Sequence, residues 1–490
     1  MKRYKGVVCL AVATLMLSSS IPASALGPMI PRRYPSTPKQ EQKQEQKQEK
    51  KDEAPKTETK KALSDGRFPG FSEDFKILDK EENKRQGSMT VVAIKDGKVE
   101  SMRVRYLKGT QLKKDDYPQY LKEYEQMIVE KGVDKVGELK GHEEEGRIVL
   151  ALVKDALERS QGYAEETQSG YTKGTLKDGT YLGQHNGFYP SESILVKVNV
   201  KSNAIENIEI LNRADDKYVY EEKYMGSGNF AKSFIGKQDA NVDVVTGATF
   251  TSKGVKHAVE KALQQAQGLS DNRFPGFSNF MHVEKSPIKD GKRDIERKGT
   301  FLMLDVKQGK IDSVSVRNVD SKVIDRKNYT EETKYIETLQ NQIKEKGLAG
   351  VELVKGKEKE SEMILLALAD AMTRSANFNK EFKMNLDSTK PLKDGTYNGA
   401  HHGFYPTEKF EVKVTVKNGA IESMEVVKDA DDNFIRVDRD ETRDTAKRFK
   451  KMLESYKGKK DANVDVTSGA TFSSKGIQKA VEEALKKAQQ

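Results

Sequence analysis

The chain has 490 residues, 33% of them charged and 35% hydrophobic, and 86 Lys and Arg against 76 Asp and Glu give a formal net charge of +10. A single cysteine leaves no disulfide framework and no Cys-rich motif for haem or an iron–sulfur cluster. Basic residues are interspersed with acidic ones and no reader motif is present, which argues against nucleic-acid binding, while the net charge favours anionic wall polymers or membrane surfaces.

Residues 1–25, MKRYKGVVCLAVATLMLSSSIPASA, join a basic start, a short apolar run and the small-residue site Ala23, Ser24, Ala25, which reads as a secretory signal peptide cleaved after Ala25. The run is too short for a good membrane span and no other stretch comes close, so the expected location is secreted or cell-surface, with no transmembrane helix after cleavage. Cys9 leaves with the signal; it lies inside the run and not after it, so a lipid anchor is not expected. Residues 26–63 form a charged, Gln-rich linker with too few apolar residues to fold, either a spacer holding the folded part off a surface or an inert solvated tail.

Beyond the linker the chain is a duplication. SDGRFPGF at Ser64–Phe71 returns as SDNRFPGF at Ser270–Phe277. After the first copy, Met89–Ile94, Asp96-Gly97 and Val99–Tyr106 predict a β-hairpin, followed by a helix around Tyr117–Lys131. The strand, turn, strand pattern recurs from Val196 and from Val412. The predicted fold class is α+β, a tandem array of four small domains, each an antiparallel sheet packed with helices: 64–174, 175–268, 269–390 and 391–490.

The second and fourth domains each open with KDGTYxGxxxGFYP, at Lys177–Pro190 and Lys393–Pro406. The glycines permit tight turns and close backbone approach, and Tyr181, Phe188 and Tyr189, with Tyr397, Phe404 and Tyr405, either flank a planar ligand or pack into a core. His185 and His401, with His402 adjoining, read as solvated loop residues ahead of the alternative, proton donors beside a bound ring, and His257 as a surface residue.

Each of these domains ends in a hydroxyl-rich turn feeding a helix: DVVTGATF at Asp243–Phe250 and DVTSGATF at Asp465–Phe472. Val255, Ala258, Val259, Ala262, Leu263 and Ala266, and likewise Ile477, Ala480, Val481, Ala484, Leu485 and Ala488, give one apolar stripe per helix, with Ser252 and Ser474 placed as N-caps. Free N–H groups and the helix dipole at such a start favour a phosphate. These residues resemble the covalent FMN-binding domain family, found in sodium-pumping NADH:quinone reductase, in Rnf complexes and in extracellular electron carriers, whose motif reads D-x-x-[S/T]-G-A-[T/S]. The resemblance implies FMN esterified to Thr249 and Thr471 by an FAD-dependent flavin transferase, with Asp243, Thr246, Gly247 and Ala248, and Asp465, Ser468, Gly469 and Ala470, completing two cofactor-binding motifs.

By the same resemblance the chain is a two-FMN electron carrier, fed by a membrane NADH dehydrogenase or quinol and discharging to an extracellular acceptor, more an electron-transfer protein than a stand-alone enzyme. In the first and third domains, residues such as Leu139, Lys140, Gly141 and His142, and the stretch Val351–Glu362, stand where the acceptor motif falls, so both read as degenerate copies without covalent flavin. Two alternatives stay open: a flavin-dependent reductase of a small molecule, which needs a pocket of convergent Arg or His that the sequence does not display, and a surface-binding array with relic flavin motifs. No catalytic residue and no metal cluster is legible.

Overall fold

The computed structural model describes residues 62–79, 84–166, 171–190, 192–212, 214–215, 219, 221–278, 282–287, 295–431 and 445–490. The expected signal peptide, Cys9 and all but the last two residues of the expected linker lie outside the described residues. No helix among those described is long and apolar enough to cross a membrane.

Four times the chain lays down an antiparallel sheet and crosses it with one long helix, an α+β arrangement throughout. The first unit comprises β1 (Gly66–Phe71), β2 (Lys76–Asp79), β3 (Lys84–Gln86), β4 (Met89–Lys95), β5 (Lys98–Leu107), β6 (Thr110–Gln111), α1 (Gln119–Lys131) and α2 (Glu143–Glu166). The second has β7 (Gly179–Asn186), β8 (Ser193–Lys201), β9 (Ala204–Ile210), the short α3 (Asn229–Lys232) and α4 (Thr249–Gln267). The third repeats the first: β10 (Asn272–Phe277), β11 (His282–Lys285), β12 (Ile295–Lys298), β13 (Phe301–Lys307), β14 (Lys310–Val319), β15 (Lys322–Val323), α5 (Lys334–Lys346) and α6 (Glu358–Glu381). The fourth repeats the second: β16 (Gly395–His402), β17 (Lys409–Lys417), β18 (Ala420–Lys428), α7 (Thr445–Glu454) and α8 (Thr471–Ala488). Sheet orders are β1-β4-β5-β6 and β10-β13-β14-β15 in one kind of unit, β7-β8-β9 and β16-β17-β18 in the other.

Two local devices recur in all four. The central hairpin turns on two residues that both have positive φ: Asp96-Gly97, Ser202-Asn203, Gln308-Gly309 and Asn418-Gly419. That is the type I′ geometry whose twist matches paired strands. Second, a strand glycine lies against the long helix. A Cβ on Gly70, Gly183, Gly276 or Gly399 would stand 1.9, 1.7, 2.0 or 1.9 Å from the carbonyl oxygen of Leu152, Ala258, Ala367 or Ala480. The FPGF and TYxG segments therefore carry glycine for the same steric reason.

The apolar stripes are buried as the spacing predicts, with Val255, Ala258, Val259, Ala262 and Leu263 at most 1% exposed. The outer faces of the two three-stranded sheets differ. On β8 nearly every residue is buried, because Leu182 and Leu195 enter the core of the third unit beside α6. Gln265 Nε2 donates to Thr373 Oγ1 at 3.1 Å and Asn212 Nδ2 to Glu362 Oε1 at 2.7 Å across this contact. On β17 only Phe410, Val412, Val414 and Val416 are buried, while Lys409, Glu411 and Lys413 face solvent.

Candidate functional site

Thr249 and Thr471 are the first residues of α4 and α8, preceded by Ala248 and Ala470, which supply no side-chain cap. The first-turn N–H groups of a helix lack intrahelical acceptors and carry its positive dipole end, so each start is suited to an anion. Gly247 and Gly469, at φ 81° and 78°, set the loop that presents it. Thr249, Thr471 and Ala470 are half-buried and Ala248 buried, whereas Asp243, Thr246, Asp465 and Ser468 are exposed.

Ser252 and Ser474 are not the N-caps expected. Both lie inside the first turn, because the helix begins three residues earlier, directly after the loop glycine and alanine. Ser252 Oγ accepts from Val245 N–H at 3.0 Å and donates to the Ala248 carbonyl at 2.9 Å, and Ser474 Oγ accepts from Thr467 N–H at 2.9 Å. They brace the motif loop from behind.

The first and third units have the same loop with different chemistry. Gly141 and Gly356, at φ 77° and 79°, precede α2 and α6 by two residues, so the residue in the threonine's place is Glu143 or Glu358. This is a shift of one residue from the register expected, Leu139 to His142. The Oε1 atoms of Glu143 and Glu358 accept from Gly141 and Gly356 N–H, both at 2.8 Å, and those backbone donors hold the two carboxyls below their ordinary range. In these units a built-in carboxylate takes a loop donor of the kind that suits a phosphate oxygen.

In front of Thr249 opens a cavity of about 860 Å³. One wall is the motif loop with Phe188, Tyr189 and Tyr224; the other is the first unit, through Arg67, Arg85, Met89, Arg105 and Tyr106. Its size falls in the range of cofactor clefts, about 300–1,000 Å³, and its aromatic and cationic lining suits a planar ring on an anionic tether, so the residues present fit FMN. Of the aromatics singled out in the sequence, Phe188 and Tyr189 reach the cavity. Tyr181 turns away, its hydroxyl donating to the Lys177 carbonyl at 3.0 Å, as Tyr397 does to Lys393 at 3.1 Å.

The pairing of units is aromatic. Phe250, next to Thr249, packs edge-on against Phe68 at 5.7 Å, and Phe188 and Tyr189 meet Phe71, with Tyr189 stacked on Phe75. In the second half Phe472 packs on Phe274, Phe378 and Phe382, and Phe404 on Phe277 and Phe301.

Sequence reasoning missed Asp215 and Asp431. Asp215 accepts from Phe188 N–H at 2.5 Å, Tyr189 N–H at 3.2 Å and Thr251 Oγ1 at 2.8 Å; Asp431 accepts from Phe404 N–H, Tyr405 N–H and Ser473 Oγ at 2.9, 3.3 and 2.6 Å. Each ties the GFYP segment to the helix that begins at Thr249 or Thr471. The available signal was an Ala-Asp-Asp repeat at Ala214 and Ala430. A Cβ on Gly187 would lie 2.0 Å from Asp215 Oδ2, which accounts for that glycine.

Burial raises the Asp215 carboxyl to about 6 against its hydrogen bonds, and raises Asp431 likewise. A folded-state pKa above the unfolded value means that the folded state binds the proton more tightly, so this contribution to stability is fullest below about pH 4 and is lost as pH rises toward 6. Asp215→Asn should remove a share worth about 2–3 kcal/mol, leaving the slope from Asp431. Urea midpoints at pH 4.5 and 6.5 check this; equal slopes in the variant and the parent would contradict it.

The histidines depart from expectation. His185 lies on β7 and not in a loop; it is half-buried, its pKa pushed down to about 3 mainly by burial and then by the Lys261 charge. His257 is half-buried too, with Nδ1 2.9 Å from Glu260 Oε2 and its ring 4.9 Å from that of His185. His401 is on β16, its ring 5.8 Å from Phe382. The third unit, packed against the second, covers the helix face that looks polar in sequence.

The FMN-binding domain family matches this chain twice, at residues 191–264 and 407–486. An uncharacterized protein of Treponema pallidum (strain Nichols) is 33% identical over 95 residues, 19% of this chain and 24% of that protein, so the chain spans about a quarter of this relative's length. No solved structure matches. Both matched stretches take in the Gly-Ala-Thr turn and the helix start that follows it, so the chain carries two copies of the FMN-binding domain.

Proposed function

We propose that the protein is an exported electron carrier with two FMN groups, held by phosphoester bonds to Thr249 and Thr471. The observation that carries the reading is the placement of both threonines at the first position of an uncapped helix, with a cofactor-sized cavity in front of Thr249. Bound FMN supplies one- and two-electron chemistry. The chain's own part is to present the threonine hydroxyl, to receive the phosphate at the helix N-terminus, and to hold the ring between Phe188, Tyr189 and the neighbouring unit.

An FAD-dependent flavin transferase is the partner that attaches the cofactor. The donor is a membrane NADH dehydrogenase or quinol, and the acceptor lies outside the cell. Covalent attachment suits that location, where a dissociated cofactor diffuses away. The test is intact mass of the protein made by its own host, with two FMN-sized increments expected. No increment, from a host shown to flavinylate another target, overturns the reading.

A second reading, a reductase of a small organic anion, is favoured by one observation: the convergence of Arg67, Arg85 and Arg105 on the cavity. Reoxidation of the reduced protein separates the two. A carrier reacts broadly with ferric chelates, and a reductase shows saturation by one class of organic acid.

A further inference from the structure

Resting on the FMN reading above, we propose that the units lacking the acceptor motif are the second halves of the flavin sites: the ring on Thr249 lies against Arg67, Arg85 and Arg105 of the first unit, and the ring on Thr471 against Arg273, Arg297 and Arg317 of the third. Residues 64–166 and 270–381 lie outside both stretches matched by the family. The arginines nonetheless share the cavity wall with Thr249 in the first half.

The argument starts from the strands. Gly70 lies on α2, so alternation along β1 turns Arg67 to the opposite face of the sheet, toward the cavity. Arg85 is on the β2–β3 hairpin that flanks this face, its Nη1 donating to the Lys84 carbonyl at 3.0 Å and its guanidinium 5.9 Å from the Tyr106 ring. Arg105 is the extra residue of a β-bulge: Met89 pairs with Tyr106 and Thr90 with Val104, which leaves Arg105 between them. Bulges re-aim side chains next to functional sites.

All three positions recur. Arg273 stands on β10 as Arg67 does on β1, Arg297 on β12 as Arg85 does on β3, and Arg317 is left between Val316 and Asn318 in a matching bulge opposite Phe301 and Leu302. Arg297 Nε donates to the Tyr405 hydroxyl at 2.9 Å, placing it on the GFYP segment of the fourth unit. Burial and the like charges of Arg326, Arg273 and Arg297 lower the Arg317 pKa, while Asp305 opposes them, as expected of cations gathered in one place.

Three acids, Asp65, Glu192 and Asp215, line the same cavity as the three arginines. Asp65 accepts from Gly97 N–H at 3.1 Å, Asp215 holds the GFYP amides, and Glu408, the counterpart of the lining residue Glu192, pairs with Lys285 at 3.0 Å. Arg273 itself lies 3.4 Å from Asp305. Two-electron reduction of the ring with uptake of one proton leaves one negative charge, and cations beside it stabilise that form. The units without the motif thus set the reduction potential of their neighbours' flavins.

The experiment uses the full chain, flavinylated, in a Thr471→Ala background so that the flavin on Thr249 alone reports. Spectroelectrochemical titration with dithionite as reductant compares this parent with Arg85→Gln, Arg105→Gln and the double variant. Each single change should shift the oxidised-to-reduced ratio at fixed potential about tenfold toward oxidised, a fall of about 30 mV for a two-electron couple, with a larger fall in the double variant and recovery in the lysine variants. In a Thr249→Ala background the same Arg85 change should leave the remaining flavin alone, while Arg297→Gln should shift it.

Potentials and absorption maxima that match the parent in every arginine variant overturn the inference. So does flavin fluorescence of the unsubstituted protein that iodide quenches as readily as free FMN, a measurement that needs no variant to fold. A parent chain without FMN overturns the carrier reading and this inference together; a flavinylated parent with unmoved potentials overturns this inference alone.

Discussion

Replacing Thr249 with alanine should remove one of two FMN-sized increments from the intact mass, Thr471→Ala the other, and the double variant both. The expectation rests on position as much as on residue type. Each threonine is the first residue of its helix, where the dipole and the unsatisfied N–H groups suit a phosphate, so no other hydroxyl in the loop has equivalent surroundings. Thr246 and Ser468 are exposed three residues earlier, and Ser252 and Ser474 are engaged in bracing the loop. Thr249→Ser should keep the increment. A Thr249→Ala chain that still carries two flavins would place the ester elsewhere and undo the assignment.

Gly183→Ala should be among the most damaging single methyl additions in the chain. The new Cβ would stand 1.7 Å from the Ala258 carbonyl oxygen, so β7 must separate from α4 along their whole contact. Overpacking costs about 1–3 kcal/mol where side chains can yield, and here the opposing atom is backbone, so a cost of about 3 kcal/mol or more is expected. Gly97→Ala is the control: its φ of 68° costs the new residue about 1–2 kcal/mol, with no atom within 4 Å of the added carbon. Hydrogen exchange resolves the units separately. Protection of β7 and α4 amides should collapse in the first variant and persist in the second; equal losses would show that strand–helix contact is not what this glycine serves.

Much of this molecule is legible in the sequence because its signals are local. The Asp96-Gly97 and Asn418-Gly419 turns, the six-residue apolar stripe on α4 and the paired Gly-Ala-Thr turns each occupy a window shorter than twenty residues, and short-range sterics or periodicity decides them. What escapes is assembled across distance. Arg67, Arg85 and Arg105 are scattered along some forty residues of polar sequence and meet only because β1, the β2–β3 hairpin and a bulge in β5 bring them to one wall. Asp215 looks like any loop acid until the GFYP amides and Thr251 close around it. His257 reads as surface because the helix carrying it is amphipathic, and nothing in α4 announces that a further helix will cover its polar side. The acceptor-free loops fail for a subtler reason: Glu143 is an ordinary first-turn acid in sequence, and only the shared left-handed glycine fixes it in the threonine's place.

The burial of Leu182 and Leu195 in the core of the third unit has a kinetic consequence. Two redox groups joined by a floppy connector exchange electrons only when chance brings them near, at a rate governed by solvent viscosity and connector length. Here a shared interior, pinned by Gln265 on Thr373 and Asn212 on Glu362, joins the second unit to the third. On the two-FMN reading proposed above, the separation of the flavins is then set by this interior and not by the length of the segment that joins the halves.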